Sequence, residues 1–228
     1  MGIGDRLRDN LTGAARMAAH LATGPLHSQE RRTWGATPEE VEATLPGDEL
    51  IEGYDWRSTR AVTIWAHDDE VWPWLAQIGR GRGGFYSHQL LEQLAGSLDD
   101  NVEQILPELQ DLRVGDEVRL HPQLPPLVVD QVTPGETLVL AGIPHGGLLP
   151  TTVWSYHLRP LSQGRTRLIE RNAYAHGEGL GERLAGGPYV IEPVSFVMSR
   201  EMLLNIKRLA EQPSWPSSPP RPRASGSP

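Results

Sequence analysis

The chain has 228 residues, 29 of them acidic and 21 basic, giving a formal net charge of −8, and it contains no cysteine. That acidic balance weighs against a nucleic-acid footprint, and the lack of thiols excludes a disulfide framework, a zinc–thiolate site and a thiol nucleophile. Apolar residues make up 38%, enough to pack the core of one large domain.

Residues 1–24 show helical spacing, with Ile3, Leu7, Leu11, Ala14, Ala15, Ala18 and Leu21 on one face and Gly24-Pro25 as the stop. The spacing predicts an appended amphipathic helix packed on the domain. Its Ala-rich face is shallow for a membrane-surface or partner helix. Residues 25–50 read as an acidic, irregular lead-in, relieved by a short helix over 37–43. There Thr37 is the N-cap, Pro38 takes the first helical position and Glu40 the third.

Residues 58–65 alternate and are rich in β-branched side chains, so they predict a strand. His67-Asp68-Asp69-Glu70 supplies a cap and acids for a helix carrying Val71, Trp72, Leu75 and Ile78, with Pro73 early in it. After a break at Gly79–Gly84, Tyr86-Ser87-His88 starts a second short helix with Leu90, Leu91 and Leu94 on its buried face. Val102, Ile105 and Leu106 suggest one more turn before Pro107. Five short β-rich runs follow, at 117–120, 127–132, 137–141, 152–158 and 166–173, separated by Gly- and Pro-containing turns. A Gly-rich loop from His176 to Gly187 precedes a last helix, from Pro193 to about Ala210, with a wide apolar face.

Residues 213–228 read PSWPSSPPRPRASGSP, in which 11 of 16 are Pro or Ser. Such a segment buries too little apolar surface to offset its ordering entropy. The expected organisation is therefore an N-terminal helix and lead-in over 1–50, a folded domain over 51–211 and a disordered tail over 212–228. No stretch reaches the ~18–20 apolar residues of a membrane span, and no compact apolar run follows a basic start. A cytoplasmic protein with no integral membrane segment is the expectation.

A strand, two short helices, consecutive antiparallel strands and one long helix indicate an α+β fold. The long helix laid across a curved sheet leaves a cavity between them. That order and several local strings resemble the SRPBCC superfamily, the START-like, polyketide-cyclase/dehydrase-like helix-grip fold. The strings are Glu70-Val71-Trp72-Pro73-Trp74-Leu75, the run from Gln77 to Ser87 with its Gly-Arg-Gly-Gly-Phe-Tyr-Ser core, Asn101, Ile105–Glu108, Leu109–Leu112, Val114-Gly115-Asp116 and Phe196-Val197-Met198. The resemblance covers about residues 34–210 and is similar to uncharacterised bacterial members. It implies a helix-grip domain but no single activity, because the superfamily spans lipid and hormone binders, cyclases, hydrolytic enzymes and co-chaperones. It also implies no universal catalytic set. Some relatives look membrane-associated at the N-terminus, and this chain does not.

Gly79, Gly81 and Gly84 match G-x-G-x-x-G, but a helix precedes them and no βαβ unit follows. They read as a tight turn, with Arg80 and Arg82 as candidates for an anionic group. Of the eight histidines none pair at metal-ligand spacing, so no metal and no cofactor are expected. His145 and His176 lie in loops and are candidate general bases. On 152–158, alternation puts Trp154, Tyr156 and Leu158 on one face and Val153, Ser155 and His157 on the other. The apolar set is expected to face the cavity, leaving His157 exposed. On 166–173 either Glu170 or Arg171 points inward: Glu170 as an acid or base, Arg171 as an anion anchor. No nucleophile elbow is present.

These residues point to binding of a small, largely apolar, lipid- or polyketide-like molecule. Trp154, Tyr156, Leu158, Phe196, Met198, Met202 and Leu203 would form the wall, with Arg82 among the polar contacts. The alternatives are a metal-independent cyclase/dehydratase-type enzyme using Glu170, His145 or His176, and an interaction module working through the terminal segments.

Overall fold

A computed structural model describes residues 27–51, 53–87, 101–120, 125–142, 152–175 and 191–212. The N-terminal helix, most of the helix expected after Tyr86, both histidine-bearing loops and the Pro/Ser-rich tail lie outside the described residues. Two short helices, α1 (Ser28–Arg32) and α2 (Pro38–Glu42), precede strand β1 (Trp56–Ile64) and helix α3 (Asp68–Ala76). Strands β2 (Glu117–Val118), β3 (Leu127–Thr133), β4 (Thr137–Gly142), β5 (Thr152–Leu161) and β6 (Arg165–Tyr174) follow, and helix α4 (Ile191–Ala210) ends the fold.

The six strands form one antiparallel sheet in the order β1-β6-β5-β4-β3-β2. Each of β2 to β6 pairs with its neighbour in sequence, and β1 closes onto β6. The β5–β6 connection, over 162–164, has both Gln163 and Gly164 left-handed, at φ 65° and 64°. A register shift between Val129 and Gln131 marks a bulge in β3, a device that bends a strand. Helix α4 crosses the inner face, because Glu192, Phe196, Ser199, Met202, Leu203, Ile206 and Leu209 recur at helical spacing and are all buried. This is the α+β helix-grip architecture expected from the order of elements.

Helix α3 begins where its acids predicted, with the His67 amide donating to Glu70 Oε2 at 2.9 Å. Pro73 sits inside it. Tyr86 and Ser87 form a bend, with Tyr86 at a positive φ of 54°, and the helix expected to follow them lies outside the described residues. Other local expectations differ. The turn expected before Pro107 begins at Pro107 instead and runs to Leu109, because proline is preorganised for a first helical position. Trp65 falls outside β1 and is 61% exposed, with the Arg165 guanidinium over its ring.

The lead-in is not irregular. Residues 34–51 strap the outer face of the sheet. Leu45, Ala36 and Ala43 pack on Ala61 and Ile169, while Ile51 and Leu50 pack on Val139, Val153 and Ala173. Outward-facing arginines of β6 tie the strap down. Arg167 makes a two-pronged bond to Glu40 at 2.8 and 2.7 Å. Arg171 donates to the carbonyls of Ala43, Glu40 and Val41 and to Asp48 Oδ2.

This strap overturns the expected exposure of His157. The residue does face away from α4, but it is 3% exposed, between Thr137 and Ser155. Burial, and then the Arg171 and Arg159 charges, push its pKa down from 6.5 to about 4. The folded protein therefore holds a neutral imidazole that the unfolded chain protonates more readily. Its contribution is present above pH 6.5 and is lost as the pH falls toward 4. About 2–3 kcal/mol should disappear by pH 4.5. Urea unfolding of wild type and His157→Phe across pH 4.5–7.5 checks this, and parallel curves for the two proteins would refute it.

Candidate functional site

The inner face of the sheet changes character along its strands. Register places Val62, Leu168 and Leu158 side by side, then Arg60, Glu170 and Tyr156, then Ser58, Asn172 and Trp154. The first row is apolar, the second charged and the third polar but uncharged. Helix α4 changes in the same direction. Its C-terminal half brings Met202, Leu203, Ile206 and Leu209 to the apolar core. Its N-terminal half brings Glu192, Ser195, Phe196 and Ser199. Polar end therefore meets polar end.

At that meeting Glu170 and Arg60 are both fully buried. The open choice between Glu170 and Arg171 is thereby resolved: Glu170 points inward, and Arg171 serves the strap. Glu170 Oε1 accepts from Trp154 Nε1 at 2.7 Å and from Ser199 Oγ at 2.6 Å, and Oε2 accepts from Arg60 Nη1 at 3.5 Å. Arg60 Nε donates to the Arg31 carbonyl at 3.0 Å, and Nη1 also reaches Ser195 Oγ at 3.3 Å. Its guanidinium lies 5.6 Å from the centre of the Phe196 ring. Beside it, Arg31 grips Glu192 with Nε and Nη2, at 3.0 and 2.8 Å. Burial lowers the Arg60 pKa, opposed by the Glu170 and Glu192 charges. The four ions balance, two cations against two anions.

An aromatic ledge leads to this cluster. Phe85 lies nearly parallel to Trp154, at 6.3 Å between ring centres, and Trp154 is 5.4 Å from Tyr156. Trp154 is half-buried, whereas Phe85 and Tyr156 are buried. Tyr156 Oη donates to Met202 Sδ at 3.4 Å, so sheet and helix touch directly there. Burial, and then the Glu170 charge, raise the Tyr156 pKa well above its ordinary value.

The expected wall residues divide accordingly. Tyr156, Leu158, Met202 and Leu203 sit in the apolar core, Phe196 joins Trp34, and Met198 is half-buried. Arg82 is not brought to them: Nη2 donates to the carbonyls of Ala76 and Leu109, at 3.0 and 3.2 Å. It belongs to the Gly79–Gly84 turn, which is closed by paired amide bonds between those two glycines. Gly84 has φ +87°, and a Cβ there would lie 2.2 Å from Asn101 Oδ1. The tight-turn reading therefore accounts for all three glycines. His145 and His176 lie outside the described residues. Sequence reasoning missed Arg60, Ser199, Glu192 and Arg31.

Two surface clefts, of about 290 and 220 Å³, lie elsewhere, one beside His157 and Leu45 and one beside Arg57 and Gln29. Neither touches Glu170. Among the described residues no group of three or more His, Asp or Glu could hold a metal, and no helix is long and apolar enough to cross a membrane.

No family model matches the chain, and no curated protein matches it. Solved structures do. A hypothetical protein of Helicobacter pylori matches 74% of this chain and 96% of its own, at 11% identity and a TM-score of 0.44. A protein of Chromobacterium violaceum matches 68% and 96%, at 14% identity and a TM-score of 0.40. A polyketide-cyclase-like protein of Corynebacterium glutamicum matches 68% and 91%, at 16% identity and a TM-score of 0.35. Among the described residues, the sheet order and the long helix α4 across its inner face give this chain its helix-grip α+β fold.

Proposed function

We propose that the protein binds a small, largely apolar molecule at the polar end of the inner face, beneath the N-terminal half of α4. The aromatic ledge of Phe85 and Trp154 supplies an apolar contact surface, and the Glu170 cluster supplies polar groups behind it. One observation carries the reading. Four ionised side chains have been taken out of water at one end of the core between the sheet and α4. Buried ion pairs of this kind often stabilise less than hydrophobic residues of the same volume. Their placement beside a half-buried Trp is therefore better explained by recognition than by folding.

Native mass spectrometry of protein purified from its own host tests this. The expected result is one noncovalent organic adduct on the wild type, lost in Trp154→Ala while the charge-state envelope of the folded protein is kept. Wild type that repeatedly arrives bare, and gains no thermal stability from apolar aromatic compounds, would count against it.

A second reading keeps the same place but uses Glu170 as an acid or base. It is favoured by Oε2, which carries only the long bond from Arg60 while Oε1 is filled by Trp154 and Ser199. Turnover of the co-purified molecule that Glu170→Gln abolishes, with binding kept, would select it.

A further inference from the structure

Among the described residues, three buried polar atoms on the inner face lack a hydrogen-bond partner: Ser58 Oγ, Arg60 Nη2 and Asn172 Oδ1. They are neighbours. Ser58 and Asn172 are register partners on β1 and β6, and Arg60 follows two residues after Ser58 on the same face. Trp154 lies beside Asn172 on β5. Ser58 and Arg60 are at most 1% exposed, so bulk water does not serve them. Buried polar groups are nearly always satisfied, and each orphan costs free energy. Three adjacent orphans thus describe the complement of something that binds there.

Building on the binding function above, we propose that this spot takes the polar end of the ligand, and that the group it selects is uncharged and both donates and accepts: an alcohol, a phenol or a primary amide. The donor–acceptor inventory dictates the first part. Arg60 Nη2 can only donate, Asn172 Oδ1 can only accept, and Ser58 Oγ does either. An ether or ketone answers Arg60 and leaves Asn172 unmet. The charge balance dictates the second part. Arg31 and Arg60 already face Glu170 and Glu192. A carboxylate or phosphate would add an unmatched charge where it is dear to desolvate.

Isothermal titration of the full chain with naphthalene, 1-methoxynaphthalene, 1-naphthol and 1-naphthoate at pH 7 tests the assignment. 1-Naphthol should bind about tenfold more tightly than naphthalene and about fivefold more tightly than the ether, with 1-naphthoate the weakest. Ser58→Ala removes an unpartnered hydroxyl, and Asn172→Leu an unpartnered amide oxygen, so neither breaks an existing bond of those atoms. In both, the naphthol preference should shrink toward unity while naphthalene affinity changes less than about threefold. Equal binding of naphthol and naphthalene, tightest binding by naphthoate, or a preference untouched in both variants would overturn the proposal and leave the binding function standing. Binding of none of the four probes would overturn both.

Discussion

Glu170→Ala is expected to destabilise the protein by about 3–5 kcal/mol, the usual cost of breaking a buried ion pair from one side. The alanine strands Arg60, whose Nη1 loses its only carboxylate and whose Nη2 has no partner already. It also strands the Trp154 N–H and the Ser199 hydroxyl, each within 2.7 Å of Oε1. The urea midpoint should fall by about 2 M, given slopes of about 1–3 kcal/mol per M. Removing both charges is different. Arg60→Met with Glu170→Leu should recover most of the loss, because a hydrophobic pair of similar volume escapes the desolvation penalty. A Glu170→Ala cost below about 1 kcal/mol would mean that water reaches the cluster and that the site is not dry. Recovery of stability by the double variant without recovery of ligand binding would show that the ions serve recognition.

The element order was legible because each kind of segment carries its own period. The alternation in β5 correctly placed Trp154, Tyr156 and Leu158 on the face that meets α4. The same alternation could not choose between Glu170 and Arg171, since their flanking residues Leu168 and Ile169 are both apolar and both fully buried. A sheet covered on one face writes a clear pattern, and a sheet covered on both does not. That ambiguity also explains His157: nothing in the acidic lead-in announces a layer that covers its face. The strap's apolar anchors, Leu45, Leu50 and Ile51, are few and set among charged residues. Arg60 did leave a signal. It shares a face with Val62 and Ile64 by simple alternation, so an inward strand arginine was readable. Glu192 and Ser199 likewise fall at helical spacing with Phe196 and Leu203. Their pairing across 161 residues for Arg31–Glu192, and 29 for Ser199–Glu170, exists only once the chain has folded.

Arg171→Met is expected to release the strap while leaving the sheet intact. The guanidinium makes five bonds: to Thr59 Oγ1 at 3.1 Å, to the carbonyls of Ala43, Glu40 and Val41 at 2.7, 2.7 and 3.1 Å, and to Asp48 Oδ2 at 2.5 Å. Methionine fills some of the volume and satisfies none of these acceptors. A loss of about 3 kcal/mol or more is expected, since an acceptor left buried and unmet costs about 1–3 kcal/mol by itself. Arg171→Lys should recover little of it, because an ammonium cannot span three carbonyls and a carboxylate in one plane. Hydrogen exchange should show amides of 41–51 losing protection ahead of those of β5 and β6, a local opening rather than global unfolding. The same variant links back to His157, whose pKa is held down by burial first and by the Arg171 charge second. Lifting the strap removes these two causes and leaves the smaller Arg159 effect, so the imidazole should titrate nearer its ordinary value of about 6.5. Arg171→Met should then lose less additional stability than wild type between pH 6.5 and 4.5. Unchanged acid sensitivity together with lost protection in 41–51 would show that other neighbours, not the strap, keep His157 dry.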